Sequence, residues 1–451
     1  MTFMISRTIQ ETLIAHFTDH PGIPLLLTGA KRTGKSTLVG VIGNTFNQMI
    51  MLDMESSVDR QLFETDGTFE QTLNAIFFLR NKSLLERNTL IYIREIQNCP
   101  LAISWFQKAA TTPPTFSIIA TASYISPEIR DIFCINDNHP STFHVPPLTF
   151  LEFLQACQDI PALTAFQEVP VPLYAYEKLL GYFHLYSLIG GMPEIVNHYI
   201  LNHDLSGLSD IYEEIFDSIL KSIAFQSPSV KTNNLLSETF QNSFPFAATR
   251  IVFNHFGNSP RLSRENALAF RTLEQHMLLH LVYPTTSTTS NIVIDKLKSP
   301  RLQMADTGMV NYFSGIQMPL FRAHDMNAIF KGQIAKQVVG QEIAASEIKP
   351  VLNFWVRKKP QSTAEIDFVI PHDGLLIPVI VKSGVPGRLR SMHQFIDEAP
   401  HPYAVRLSSG RLTVQQAQTI RGNKIYMLNL PYFLSSKIKE YLKGFIRLAT
   451  G

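Results

Sequence analysis

The stretch PLLLTGAKRTGKSTLVGVIG, residues 24–43, decides the fold. Leu25, Leu26 and Leu27 make a short apolar run, as a buried parallel strand requires. Gly29 to Ser36 then fits G-x-x-x-x-G-K-[ST], and an apolar helical pattern follows from Leu38. Strand, glycine loop and helix in that order predict backbone N–H groups turned toward an anion at a helix N-terminus. Gly29 and Gly34 supply the turns. Arg32, Thr33 and Thr37 lie in or beside the loop. Lys35 is expected to reach β- and γ-phosphates, and Ser36 to offer its hydroxyl to Mg²⁺. The expected ligand is ATP or ADP.

Working outward, QMIMLDMES (48–56) reads as the next strand, ending in Asp53 and Glu55, and an amphipathic helical stretch follows over roughly 68–87. NTLIYIREIQNCP (88–100) reads as a buried strand that delivers Arg94 and Glu95 at its end. In many ATPases that strand ends in Asp-Glu: the Asp helps hold Mg²⁺ and the Glu orients the attacking water. FSIIATASY (116–124) is a further apolar run, ending in Thr121 and Ser123. Polar residues at strand carboxyl ends stand where open α/β sheets bind ligands. Glu95 and Thr121 are therefore the candidate catalytic residues. Thr121 either senses γ-phosphate or water, or is a plain strand-end hydroxyl.

The chain has 451 residues with 45% hydrophobic composition, enough for several buried cores. Lys plus Arg is 39 against 37 for Asp plus Glu, so the +2 balance points to no acidic, nucleic-acid or membrane partner as a whole. Cys99, Cys134 and Cys157 are too few and too scattered for a disulfide framework or a zinc site, and read as buried thiols. Arg7, Gln10 and Glu11 interrupt what would be a signal's apolar segment. No apolar run reaches the ~18 residues that span a bilayer. The expectation is a cytoplasmic protein without membrane association.

Taken with later segments, these residues resemble the prokaryotic AAA-type ATPases that join an N-terminal P-loop module to a C-terminal restriction-endonuclease-like domain of unassigned function. The resemblance runs in order through GAKRTGKSTL, REIQ, IATASY, VPPLTFLEFL (145–154), LIGGMPEIV (188–196), MADTGMVNYFSG (304–315), AEIDFVI (364–370) and IPVIVKSG (377–384). It implies an α/β chain: a P-loop domain over 1–150, a helical lid over 151–240, a winged-helix-like segment over 241–285 and the nuclease-like domain over 286–451. It also marks departures. Arg94 replaces the magnesium-associated Asp, a degenerate Walker B strand. No arginine stands in NDNHPSTFH (136–144), just before VPPLTF, where a Gly-Arg pair is common. Of the metal-binding set that a nuclease of this fold uses, Asp367 and Lys382 are present, Ile380 stands at the Glu position, and Lys336 replaces an upstream Glu. Glu342 and Glu365 remain as acids that compensate or are vestigial.

A guanidinium neither binds Mg²⁺ nor loses its proton in a protein. Three outcomes follow for Arg94. It contacts phosphate directly in the metal's stead; it pairs with Asp53, Glu55 or Glu95 and closes the site; or it turns away and leaves slow hydrolysis to Glu95. Mg²⁺ is therefore a doubtful cofactor, and binding without fast turnover is the leading expectation. The alternatives are an active ATPase whose Mg²⁺ is held another way, and a non-enzymatic scaffold for DNA or protein.

Residues 241–283 give a helix, a turn at Gly257-Asn-Ser-Pro and a second helix from Ser263, with Arg261, Arg264 and Arg271 on or near it. Those arginines read either as DNA contacts or as an ordinary solvated or protein-docking face. TTSTTSN (285–291) reads as a loop or linker, and turns are expected at Pro360 and His372-Asp-Gly374. The expected partners are a nucleotide and then DNA, another protein or further copies of the chain.

Overall fold

The computed structural model describes residues 5–64, 67–111, 116–127, 129–130, 141–322, 332–346, 351–358, 362–382 and 389–450. Cys134 and the turn expected at Pro360 lie outside them.

Five strands of the first module form one parallel sheet among the described residues: β1 Leu25–Thr28, β2 Gln48–Asp53, β3 Thr89–Arg94, β4 Ser117–Ala122 and β5 Ser141–His144, in the order β2-β3-β4-β1-β5. Alternation along each strand sends neighbouring residues to opposite faces. Leu25, Leu27, Leu90 and Tyr92 pack with Leu38, Val39 and Ile42 on one face. Leu26, Ile91 and Ile93 pack with Ile76, Phe77 and Phe106 on the other. Helices on both faces explain why β1 and β3 are buried nearly throughout. The helix expected over 68–87 is Phe69–Leu79, begun by a reciprocal capping pair between Thr68 and Gln71. Insertion of β4 between β1 and β3 sets Thr121 beside Leu27 on one side, with Arg94 and Glu95 beyond on the other.

Residues 151–240 are helical, as the three-to-four spacing predicts: Phe150–Ala156, Ile160–Gln167, Tyr176–Ile189, Pro193–Asn202, Leu208–Gln226 and Val230–Ser243. A boundary at 240/241 would cut the last of these. It pairs with Ser263–Gln275, and the strands Leu279–Val282 and Arg301–Met304 follow as an antiparallel pair. Thr285 is not linker: it is fully buried, and Pro284–Thr285 pairs in parallel with Phe354–Val356.

The C-terminal part holds a mixed sheet of Phe368–His372, Leu375–Val381, Tyr403–Ser408, Lys424–Pro431 and Thr413–Gln418, in that spatial order. His372-Asp-Gly374 makes its first hairpin turn, with Asp373 and Gly374 both at positive φ. One hydrophobic core joins one face of this sheet to the lid helices, to helix Ser263–Gln275 and to Ala30 of the loop after β1. The sheet's other face packs in a separate cluster with Trp355, Met392 and Phe395, and Val282, Phe354 and Val356 form a further small one. Among the described residues, no helix is long and apolar enough to cross a membrane.

Candidate functional site

The loop after β1 closes over itself. Lys35 donates from Nζ to the carbonyls of Gly29 and Ala30, both at 2.7 Å, and Thr33 Oγ1 donates to Ala30 at 3.0 Å. A Cβ on Gly29 would stand 2.3 Å from the Val145 carbonyl oxygen, so only glycine fits. Gly34 caps helix Lys35–Gly43 at φ 90°, the left-handed region that favours glycine. Lys35 is almost wholly buried, and that burial pushes its pKa down to about 8; Lys31 and Arg94 add to the effect while Glu95 opposes it.

Arg94 takes the second of its three courses. Its guanidinium donates to Asp53, its neighbour in the β2–β3 register, and pairs with Glu55 at 3.0 Å. Burial opposes its charge, but Asp53, Glu55 and Glu95 outweigh that and raise its pKa. Lys31 completes the network, 2.7 Å from Glu55 and 3.4 Å from Glu95. Of the three acids named as its alternatives, Asp53 and Glu55 are the ones that pair with it.

Glu95 follows Arg94 with left-handed backbone, φ 51°. Its carboxylate accepts from Ser123 Oγ and from Gln97 Nε2. Burial alone would raise its pKa, yet Lys35, Lys31 and those two donors hold it below the usual carboxylate range. Its N–H donates to Thr121 Oγ1 at 3.4 Å. Thr121 is thus tied to the strand end that carries Glu95, and its hydroxyl also meets Tyr92 OH at 3.2 Å. Tyr92 OH in turn lies 2.9 Å from Ser36 Oγ. Sequence reasoning missed Tyr92, which reads as core. The available signal was strand alternation: residues 92 and 94 share a face, toward the loop.

The lid forms the far wall. Arg32 pairs with Glu194 at 2.7 Å and reaches Ser218 Oγ at 3.2 Å. A cavity of about 850 Å³ lies between, lined by Lys31, Lys35, Ser36, Thr37, Arg94 and Glu95 on one side and by Pro193, Glu194, Lys221 and Phe225 on the other. Across Gly34 and Thr37 a second cavity of about 280 Å³ is lined mostly by Ile5, Leu38, Val41, Leu148 and Pro193. Arg7 supports the loop from this side, donating to the Thr33 carbonyl at 2.8 Å and pairing with buried Glu152 at 3.0 Å.

A P-loop of this kind ordinarily works with Mg²⁺. The residues present do not fit that ion: Ser36 is engaged by a phenol, a guanidinium stands at the strand end, and both flanking acids are already paired. Among the described residues, no three His, Cys, Asp or Glu side chains group as a metal cage.

The acids of the C-terminal part are not brought together. Glu342 lies against the lid, accepting from the Phe150 N–H at 3.0 Å and from Tyr186 OH at 2.7 Å. Glu365 pairs with buried Arg301. Asp367 pairs with Lys336 at 2.7 Å and accepts from the Val381 N–H at 2.8 Å. Ile380 is buried in an apolar cluster with Trp355 and Phe395. Lys382, just past its strand, is exposed. Glu342 and Glu365, named as acids that compensate or are vestigial, are thus each bonded away from Asp367. Of the arginines near the second helix, Arg261 pairs with Glu238 at 2.7 Å. Arg271 bonds Tyr283, and Arg264 is exposed.

Comparison with known families agrees with the first module. Residues 22–154 match the AAA domain model, in agreement with a P-loop module there. Residues 181–320 and 331–433 match two domains of unknown function, DUF8612 and DUF4143. No curated protein matches the chain. Among solved structures it is similar to a Walker-type ATPase of Pyrococcus abyssi, at 14% identity and TM-score 0.43 over 69% of this chain and 96% of the other. It is also similar to C. elegans PCH-2, at 11% identity and TM-score 0.29 over 50% and 65%. The Pif1 helicase of Candida albicans follows at 15% identity and TM-score 0.23 over 39% and 47%.

Proposed function

We propose, from the premise that residues 22–154 are an AAA-type P-loop domain, that this chain binds ATP or ADP and hydrolyses it slowly or not at all. One observation carries the reading: the phosphate loop is complete, while Arg94 at the end of β3 is locked to Asp53 and Glu55. Loop N–H groups and Lys35 supply most phosphate contacts without a metal. The larger cavity falls within the about 300–1,000 Å³ usual for small-ligand sites. The apolar slot beside Gly34 and Thr37 suits a base. The lid wall at Glu194, Ser218 and Lys221 makes the bound state one the helical segment can sense, which suits a regulatory role.

The test is steady-state ATP hydrolysis by wild type and Lys35→Ala, with calorimetric titration of ATP and ADP. We expect binding that Lys35→Ala abolishes, with turnover at background. Robust wild-type turnover that Lys35→Ala removes would sink the slow-hydrolysis half. Absence of any binding would sink the whole.

A second reading keeps an active site. Glu95 is buried and ionised, held by Ser123 and Gln97, a state suited to orienting water. It needs the Arg94 network to open when nucleotide enters. For the C-terminal part, a sheet with two parallel pairings at its centre and an antiparallel pairing at each edge supports a restriction-endonuclease-like shape. The Lys336–Asp367 pair argues against cleavage, because an ammonium already fills the place of a metal's charge. The helix pair with its following strand pair supports a winged-helix reading, and the engaged Arg261 and Arg271 favour protein docking over DNA.

A further inference from the structure

We propose that Tyr92 and Arg94 together convert the phosphate site into one that takes its nucleotide free of metal, Tyr92 by occupying Ser36 and Arg94 by supplying the cation. This rests on the nucleotide reading above and goes beyond it, because it assigns the metal preference to two side chains of one strand.

In a metal-using P-loop, the Ser hydroxyl at this position is a Mg²⁺ ligand. Here that hydroxyl is 2.9 Å from Tyr92 OH, which is itself 3.2 Å from Thr121 Oγ1. The ring is 1% exposed and packs among Leu38, Val39 and Leu90, so the phenol cannot swing aside without opening the core. Tyr92 therefore holds Ser36 from below, on the face from which Arg94 projects two residues later. Mg²⁺ demands near-octahedral oxygen ligands and sheds its waters reluctantly. A site that offers one shared hydroxyl and a guanidinium meets neither requirement.

The charge argument runs the same way. Lys31, Lys35 and Arg94 face Asp53, Glu55 and Glu95 in one network. A polyphosphate entering the cavity can draw Lys35 off the loop carbonyls and attract Arg94 from Asp53. A guanidinium suits phosphate oxygens through paired N–H donors. A nucleotide that carried its own Mg²⁺ would bring two more positive charges toward Arg94 and Lys31.

The experiment is calorimetric titration of ATP in EDTA and in Mg²⁺ for wild type, Tyr92→Phe, Arg94→Asp, and Arg94→Asp combined with Tyr92→Phe. Mn²⁺ binding by electron paramagnetic resonance is the second readout, and thermal melts establish that each variant folds. Wild-type affinity is expected to change by less than about twofold between the two conditions. Arg94→Asp should lose about tenfold in EDTA and recover little with Mg²⁺, because Ser36 stays engaged. The combined variant should gain about tenfold or more from Mg²⁺ and bind Mn²⁺ in the presence of ATP. Wild-type affinity that rises about tenfold with Mg²⁺, or an Arg94→Asp variant that gains as much from Mg²⁺ as the combined one, overturns the proposal while leaving nucleotide binding intact. A wild type that binds no ATP in either condition overturns the nucleotide reading and this proposal together.

Discussion

Arg94 shows how one residue redirects a site. Its identity and place were legible in the sequence, because an apolar strand 59 positions past the loop lysine had to end at the active edge. Its partners were legible only as alternatives, Asp53, Glu55 or Glu95, beside two courses without any pairing. Asp53 became adjacent only through the β2–β3 register, which the sequence leaves open. Tyr92 was hidden for a different reason: a tyrosine in an apolar strand is ordinary core, and its hydroxyl acquires meaning only beside Ser36 and Thr121. Lys35 yields a residue-scale prediction. With its pKa near 8 in the free protein, it is half neutral at pH 8. Phosphate contact restores its charge, so binding at pH 8 should take up about 0.5 proton. Calorimetry of ATP binding in buffers of differing ionisation enthalpy measures this. The uptake should shrink toward pH 6.5, where Lys35 is already charged.

At the scale of elements, the sequence showed several motifs whose purpose is joinery. Asp306 of MADTG accepts from the Gly191 N–H of LIGGMP at 2.7 Å and caps helix Thr307–Phe313 through Met309. A Cβ on Gly308 would stand 2.0 Å from the Ile189 carbonyl oxygen. Gly308→Ala should therefore destabilise by about 1–3 kcal/mol, seen as an earlier denaturation midpoint with an unchanged slope. Glu342, read as a remnant of nuclease chemistry, is the acid that receives helix Phe150–Ala156. Burial raises its pKa from 4.5 to about 7, partly offset by Tyr186 and Phe150. The native chain thus keeps a proton that the unfolded chain releases in that interval. This contribution to stability is complete below the unfolded value and is lost as pH rises through 7, an effect of about 3 kcal/mol. Asp306, raised to about 6, acts with the same sign over a lower window. Buried His144 and His276 act with the opposite sign, so the test is the difference: from pH 5 to pH 8 the melting temperature of Glu342→Gln should fall less, or rise more, than that of wild type. A variant as steep as wild type would contradict the assignment.

At the scale of the molecule, the first module could be delimited from sequence because its strands carry their own pattern and end in one motif edge. The remainder could not. Motif order suggested consecutive domains; among the described residues one core runs from the lid helices to one face of the C-terminal sheet, while that sheet's other face packs in a cluster of its own. Lys437 donates to the Phe166 carbonyl at 3.0 Å, and Tyr441 OH accepts from the Val171 N–H at 2.9 Å. A fragment ending at residue 320, where the DUF8612 match stops, loses Glu342, Lys437 and Tyr441 from the lid. In hydrogen exchange, that fragment should protect β1, β3 and β4 but not helices Phe150–Ala156 and Ile160–Gln167. The full chain should protect both.

The bond between Lys437 and Phe166 also sets a clock. Its two residues are 271 positions apart in the chain. At about 5–20 residues per second, a ribosome needs roughly 14–54 s to make the second after the first. Throughout that interval Phe150, Phe153 and Phe166 lack the C-terminal side of their packing. The sheet and its phosphate loop can be finished early, while the wall that faces them waits for the last helix to be translated.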